Sequence, residues 1–162
     1  MKHGGKEMIR VLFVCLGNIC RSPMAEAVMR DIVEKRGLSA QIKIDSAGTG
    51  SWHIGESPHS GTLKKLKEMK ISTSGMKARQ LKSSDLEDFD YIVCMDESNV
   101  QNTREMLQAH TDAKIFRFLD LTPHQKDVPD PWYTGDFEET YTLCLEGCEV
   151  LLDKIQKDHA LA

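Results

Sequence analysis

The sequence predicts an open α/β fold built on a parallel sheet, and three observations carry that prediction. Four short apolar runs alternate along the chain with longer segments whose apolar residues recur at helical spacing. The first run, Ile9 to Val14, is almost continuously apolar, as a strand covered on both faces must be. The chain has 162 residues, the size of one domain, with no repeat, low-complexity tract or linker composition. Strands alternating with helices imply parallel pairing through right-handed crossovers. One domain is expected over residues 9–158, preceded by a polar, Gly-containing arm over residues 1–8.

Each element has its own signal. After Ile9 to Val14, a loop with Gly17 and Asn18 leads to Ser22-Pro23, which opens a helix. Met24, Val28 and Ile32, with Ala25, Met29 and Val33, form its apolar stripe, and Gly37 closes it. Ile42 to Ile44 reads as the second strand, running into Asp45-Ser46-Ala47-Gly48. A loop from Gly48 to Gly55 holds Trp52. Ser57 as cap and Pro58 as first residue predict the next helix, with Leu63, Leu66 and Met69 on one face. Ser84 with Glu87 resembles a capping box on a short helix. Tyr91 to Met95 is the third strand, Glu97 to Gln108 a helix, and Ile115 to Leu119 the fourth strand. Beyond Pro129-Asp130-Pro131, Asp136 with Glu139 caps a long last helix that buries Phe137, Tyr141, Cys144, Cys148, Leu151, Leu152 and Ile155.

Composition excludes several classes of function. Apolar residues make up 40% and charged residues 28%, a globular balance. The net charge of −4 offers no overall field for nucleic acid or an anionic membrane. No run approaches the ~18 apolar residues of a membrane span, and no signal-peptide pattern opens the chain. Charge is uneven: residues 1–50 carry eight basic and five acidic groups, residues 121–162 three and nine. An anionic ligand is therefore expected near the front of the chain.

Five cysteines, an odd number without a secretory signal, fit a reducing, cytoplasmic compartment. Cys94 lies in an apolar strand and reads as core. Cys144 and Cys148 have the spacing of a metal pair, but they share an apolar helix face and no histidine complements them. The six histidines form no H-E-x-x-H or similar group, so neither metal nor cofactor is expected.

In open α/β sheets ligands bind beyond the carboxyl ends of the strands. After the first strand stands Val14-Cys15-Leu16-Gly17-Asn18-Ile19-Cys20-Arg21-Ser22-Pro23. A loop of this kind aims backbone N–H groups of Leu16 to Ser22 into one concavity, and the helix dipole adds positive potential. A phosphate-sized anion fits there. Arg21 can hold two oxygens with its planar fork. Cys15 lies in the same field, which favours its thiolate, and Ser22 can hydrogen-bond the sulfur. A thiolate beneath a bound phosphate is placed for in-line attack on phosphorus. The ATP-type loop is excluded, since no G-x-x-x-x-G-K-[ST] is present.

With Asp45-Ser46-Ala47-Gly48-Thr49 and Asp130-Pro131-Trp132-Tyr133 added, the chain closely resembles the low-molecular-weight protein tyrosine phosphatases, in particular their bacterial members. The resemblance spans nearly the whole length, in the family's order and spacing. It implies a four-stranded parallel sheet flanked by helices on both faces, and a two-step hydrolysis of phosphotyrosine through a phosphocysteine. It places Asp130 where the family keeps its proton donor; without it, Asp-Pro is a plain turn signal, and Asp127 is the lesser competitor. Trp52 matches the family's cleft wall, and Trp132 and Tyr133 are loop aromatics beside it. Asn18 and Ser46 resemble the pair that braces the loop, and Cys20 the second cysteine that can pair with the nucleophile.

Related activities separate on single features. Arsenate reductases of this fold need two further cysteines in a mobile segment, where this chain offers Cys94 alone. Protein-arginine phosphatases resemble the family but carry Thr at the position of Ile19, whose bulk favours phosphotyrosine. A binding module without turnover needs neither thiolate nor acid. The expected partner is a phosphotyrosyl protein, the product inorganic phosphate, and the default state a monomer.

Overall fold

The computed structural model describes residues 8–161, so most of the expected N-terminal arm lies outside the described residues. Strand β1 (Ile9–Cys15) runs through the middle of the sheet, followed by helix α1 (Arg21–Lys35) and strand β2 (Ile42–Gly48). Helix α2 (Ser60–Glu68) and the short α3 (Asp85–Asp88) lead to β3 (Tyr91–Cys94), α4 (Glu97–Met106) and β4 (Ile115–Arg117). A single turn, α5 (Pro131–Thr134), precedes the long α6 (Phe137–Asp158). The strands pair in parallel in the order β2-β1-β3-β4. The chain leaves β1 to one side for β2 and to the other for β3, so the carboxyl end of β1 is the switch point where such sheets bind ligands.

Side-chain alternation along β1 divides the core in two. Ile9, Val11, Phe13 and Cys15 point into the larger core with Met24, Val28, Leu151, Leu152 and Ile155 from α1 and α6. Leu12 and Val14 point the other way, against Ile92, Cys94, Val100 and Ile115. Cys94, Cys144 and Cys148 are wholly buried, and burial pushes the Cys94 thiol up to about 12. Gly37, at φ 72°, ends α1 in the left-handed conformation that glycine adopts freely.

Three local signals resolve differently from expectation. The helix anticipated from Ser57-Pro58 starts at Ser60, because His59 is the cap. The His59 N–H donates to the Ile19 carbonyl (2.7 Å), pinning this residue to the loop after β1, while its Nδ1 accepts from Gly61 N–H (2.9 Å). Ser84 makes no side-chain cap. Asp85, fully buried, anchors the segment before the helix instead: its carboxylate takes Lys82 N–H (2.9 Å) and the Arg79 guanidinium (3.0 Å). The fourth strand stops at Arg117, and Phe118–Leu121 turns into a 3₁₀ helix that sends Phe118 into the core against Phe13, edge to face at 5.4 Å.

Phe118 also covers Gly147 of α6, where an added Cβ would stand 2.6 Å from its ring. Gly147→Ala is expected to destabilise the fold by about 1–3 kcal/mol through overpacking, with activity of the folded fraction unchanged. Urea unfolding monitored by fluorescence checks this, and an unshifted midpoint contradicts it.

Candidate active site

The site begins with a backbone constraint. Asn18 sits at φ 57°, in the left-handed region that asparagine tolerates better than most residues. This turn folds the chain back so that Asn18 N–H reaches Cys15 Sγ (3.3 Å). The carbonyls of Cys15, Leu16, Ile19 and Cys20 are tied outward, to the N–H groups of Thr49, Gly50, His59 and Met24. Outward carbonyls turn the following N–H groups inward. Helix α1 starts with no side-chain cap and no acidic residue in its first turn, which leaves its N-terminal amides for an anion. Gly48 backs the loop so closely that a Cβ there would lie 2.8 Å from the Leu16 carbonyl oxygen.

A buried polar chain braces this loop. Ser22 Oγ lies 3.0 Å from Cys15 Sγ. Asn18 Nδ2 donates to Ser22 Oγ (2.8 Å) and to Ser46 Oγ (2.9 Å), and its Oδ1 accepts from Arg79 N–H (2.9 Å). Ser46 in turn donates to Glu26 Oε1 (2.5 Å), and Arg30 pairs with the other oxygen. Burial pushes the Glu26 carboxyl up, opposed by its Ser46 hydrogen bond and by Arg30.

Arg21 is 3% exposed. Its Nη1 is held from behind by Asp96 Oδ2 (2.7 Å) and the Val128 carbonyl (3.0 Å). Burial works against its charge, but Cys15 and Asp96 outweigh that, and its pKa stays above the ordinary value. Nη2 faces Asp130 Oδ2 at 3.5 Å. Asp130 caps α5, with Oδ1 accepting from Trp132 N–H (3.0 Å) and Pro131 in the first helical position. One carboxylate oxygen is thus fixed by the backbone and the other faces the guanidinium. Asp127 is engaged elsewhere, by Arg117 Nη1 (3.1 Å) and Glu97 N–H (2.9 Å), and Asp136 caps α6.

Cys15, Arg21 and Asp130 line one cleft of about 250 Å³, whose floor includes Gly17, Ile19 and Cys20. Trp52, Trp132 and Tyr133 form its walls and are 68%, 54% and 79% exposed, so they are not part of the core. Cys20 is buried there, and burial, then Cys15 and Asp130, push its thiol up to about 12. Among the described residues, no group of three or more His, Cys, Asp or Glu could hold a metal ion.

Cys15, Arg21, Asp130, the loop from Leu16 to Ser22 and the aromatics Trp52, Trp132 and Tyr133 lie together at this site, with Ser46 behind it. Four others are visible only in three dimensions. Asp96 follows the third strand in Asp96-Glu97-Ser98-Asn99, a capping box whose position beyond a strand's carboxyl end was its available signal. Glu26 is the one acid within the apolar start of α1, four residues from Ser22. His53, 5.9 Å from the Trp132 ring, and Arg79, which reaches Asn18 through its backbone, carry no signal in the sequence.

The family model for low molecular weight phosphotyrosine protein phosphatases matches residues 10–161. The low molecular weight protein-tyrosine-phosphatase YfkJ of Bacillus subtilis is 54% identical over 156 residues, covering 95% of this chain and all of the relative. Its crystal structure superposes with a TM-score of 0.91 over 94% of this chain and 98% of that one. The PtpA phosphatase of Staphylococcus epidermidis is 46% identical over 93% of this chain and 96% of its own length. A drosophila arginine phosphatase shares the fold at a TM-score of 0.81 and 33% identity, over 91% of this chain and 98% of that one. A strand-to-helix loop that cradles a cysteine and an arginine, a capped aspartate above it and a family match along almost the full chain agree: the chain belongs to the low molecular weight phosphotyrosine protein phosphatases.

Proposed function

We propose that Cys15 is the nucleophile of a two-step phosphotyrosine hydrolysis. The observation that carries this reading is the setting of its sulfur, with Asn18 N–H donating to it and the Ser22 hydroxyl 3.0 Å away, in a cleft shared with Arg21 and Asp130. Both groups can donate to a thiolate, which accepts from them.

The phosphate dianion enters the loop, where the inward amides of residues 16–22 and the free edge of Arg21 hold its equatorial oxygens. Asp96 and Val128 occupy Nη1, so the phosphate takes the remaining donors of the fork. Cys15 Sγ attacks phosphorus as the bond to the tyrosine oxygen breaks. Asp130, protonated on Oδ2, gives its proton to that oxygen and releases neutral tyrosine. Asp130 then takes a proton from water, whose oxygen attacks phosphorus and displaces the Cys15 thiolate, and inorganic phosphate leaves. Ser22 steadies the thiolate as nucleophile and as leaving group. Trp52, Trp132 and Tyr133 clasp the phenyl ring, and their height favours a ring's reach over that of phosphoserine. Asn18 and Ser46 hold the loop's shape. Cys20 is the thiol that would close on Cys15 after a peroxide has oxidised Cys15 to the sulfenic acid, releasing water.

The catalytic unit is residues 9–158, acting as a monomer on phosphotyrosyl proteins in the cytoplasm. The odd number of cysteines supports that placement. The drosophila neighbour, named an arginine phosphatase, raises phosphoarginine as a second reading. Ile19, buried against Cys20, Ala78 and Phe137, argues for the aryl substrate by lining the floor with an apolar side chain. Competition between phosphotyrosyl and phosphoarginyl peptides decides between them.

Cys15→Ser is expected to abolish hydrolysis of p-nitrophenyl phosphate while inorganic phosphate still binds within a few-fold of the parent; retained turnover refutes the nucleophile. Asp130→Ala is expected to slow aryl phosphates with poor leaving groups by roughly 10²-fold or more, and those with acidic phenols far less. An equal loss across the series, measured as a leaving-group plot of kcat/KM, contradicts the proton-donor role.

A further inference from the structure

We infer that a groove beside the cleft, across Trp52, is a substrate subsite for an arginine or lysine flanking the phosphotyrosine, with Glu105 as its charge partner. The inference rests on the reading of the protein as a phosphotyrosyl-protein phosphatase and adds which sequences it prefers.

The groove has a volume of about 220 Å³ and shares Leu16 and Trp52 with the catalytic cleft. Trp52 is thus a ridge between two adjoining concavities, and the ridge is fixed. Its ring lies so close on Gly50 that a Cβ there would stand 2.0 Å from it. Gly50 N–H donates to the Leu16 carbonyl (2.9 Å), and Gln80 Nε2 donates to the Thr49 carbonyl (3.1 Å). Helix α4 supplies Asn102, Glu105 and Met106 to the lining.

Leu16, Trp52 and Met106 are exposed, large and apolar. They suit the methylene stem of a long side chain, and the indole face suits a cation. Among the described residues that line the groove, Glu105 alone is charged. Its neighbours three and four residues away are Gln101, Asn102, Gln108 and Ala109, none of them basic. The Arg104 fork is drawn instead to the Ile115 carbonyl (2.8 Å). Glu105 is exposed and has no ion-pair partner among the described residues. A carboxylate beside an apolar trough selects a residue that is apolar along its length and positive at its tip, which describes lysine and arginine. A phosphotyrosine in the cleft points its ring inward and leaves its backbone at the rim. An extended chain advances ~3.3 Å per residue, so a flanking residue crosses the Trp52 ridge into the groove. The substrate's phosphate then meets Arg21 and its basic side chain meets Glu105, each charge read by its opposite.

Phosphotyrosyl peptides of one length test this, with arginine, leucine, alanine or glutamate placed in turn at each of the three positions on either side of the phosphotyrosine. Values of kcat/KM are measured for the parent, Glu105→Gln and Glu105→Arg. Glu149→Gln, on α6 and lining neither cleft nor groove, is the charge control. In the parent, arginine at one position or more is expected to exceed alanine about fivefold, with leucine between them and glutamate below. The gain is expected in KM and to shrink toward the leucine level in about 0.5 M salt. Glu105→Gln is expected to bring arginine down to leucine, Glu105→Arg to make glutamate the preferred flank, and Glu149→Gln to keep the parent's order. Hydrolysis of p-nitrophenyl phosphate, which occupies the cleft alone, is expected to stay within about twofold of the parent throughout.

The inference is overturned if arginine exceeds leucine at no position in the parent. It is also overturned if the arginine preference survives in Glu105→Arg, or is lost equally in Glu149→Gln. A larger loss of p-nitrophenyl phosphate turnover in Glu105→Gln means that Glu105 acts on the chemistry, and overturns the subsite too. Failure of the phosphotyrosine reading looks different: the parent would hydrolyse none of the peptides, alanine-flanked included, and the inference would fall with it. Failure of the subsite alone leaves every peptide hydrolysed at one rate.

Discussion

Asn18 stands at the centre of the molecule's chemistry because one residue meets two demands at once. Its backbone takes the left-handed turn that brings the loop back over Cys15, and its side chain ties three segments of the chain together. Ser22 belongs to α1, Ser46 to β2 and Arg79 to the segment before α3, so the loop is braced against elements that are far apart in sequence. A phosphate loop of inward amides is a concentration of unpaired donors, which is costly without an anion and unstable without such a brace. Loss of the brace would leave the sheet intact and the loop without a shape.

The second constraint is the way Arg21 is held. A buried guanidinium needs compensation, and Asp96 and the Val128 carbonyl supply it from the far side of the cleft. This hold aims the rest of the fork at the space above Cys15. It also links the carboxyl end of β3 to the segment carrying Asp130, so the arginine and the acid are registered to one another before substrate arrives. The capped aspartate is held in the same way: one oxygen is given to the α5 backbone and the other faces Arg21.

Much of this was legible in the sequence. The apolar runs gave the strands because covered parallel strands have almost no polar face, and the segment from Cys15 to Pro23 marked the loop between the first strand and the first helix by residue type and spacing. What stayed hidden depends on tertiary contact. His59 displaces the expected start of α2 because its N–H is drawn to Ile19, forty residues earlier. Ser84 makes no cap, and Asp85 beside it is buried because Arg79 is there to neutralise its carboxylate. Glu26 and Asp96 look like ordinary helix acids until their partners, Ser46 and Arg21, are seen across the fold. Local signals report local energies, and these residues are placed by energies that are not local.

The account turns on a covalent bond between Cys15 and phosphorus. The direct measurement is rapid acid quenching of the Asp130→Ala protein during hydrolysis of an aryl phosphate with an acidic phenol, followed by peptide mass spectrometry. Expulsion of such a phenol needs little help from an acid, whereas attack by water still needs a base, so the intermediate accumulates. The account predicts one phosphoryl group on the peptide that carries Cys15, and none on Cys20, Cys94, Cys144 or Cys148. A phosphoryl group on another residue, or none while phenol is released in a burst, would contradict it.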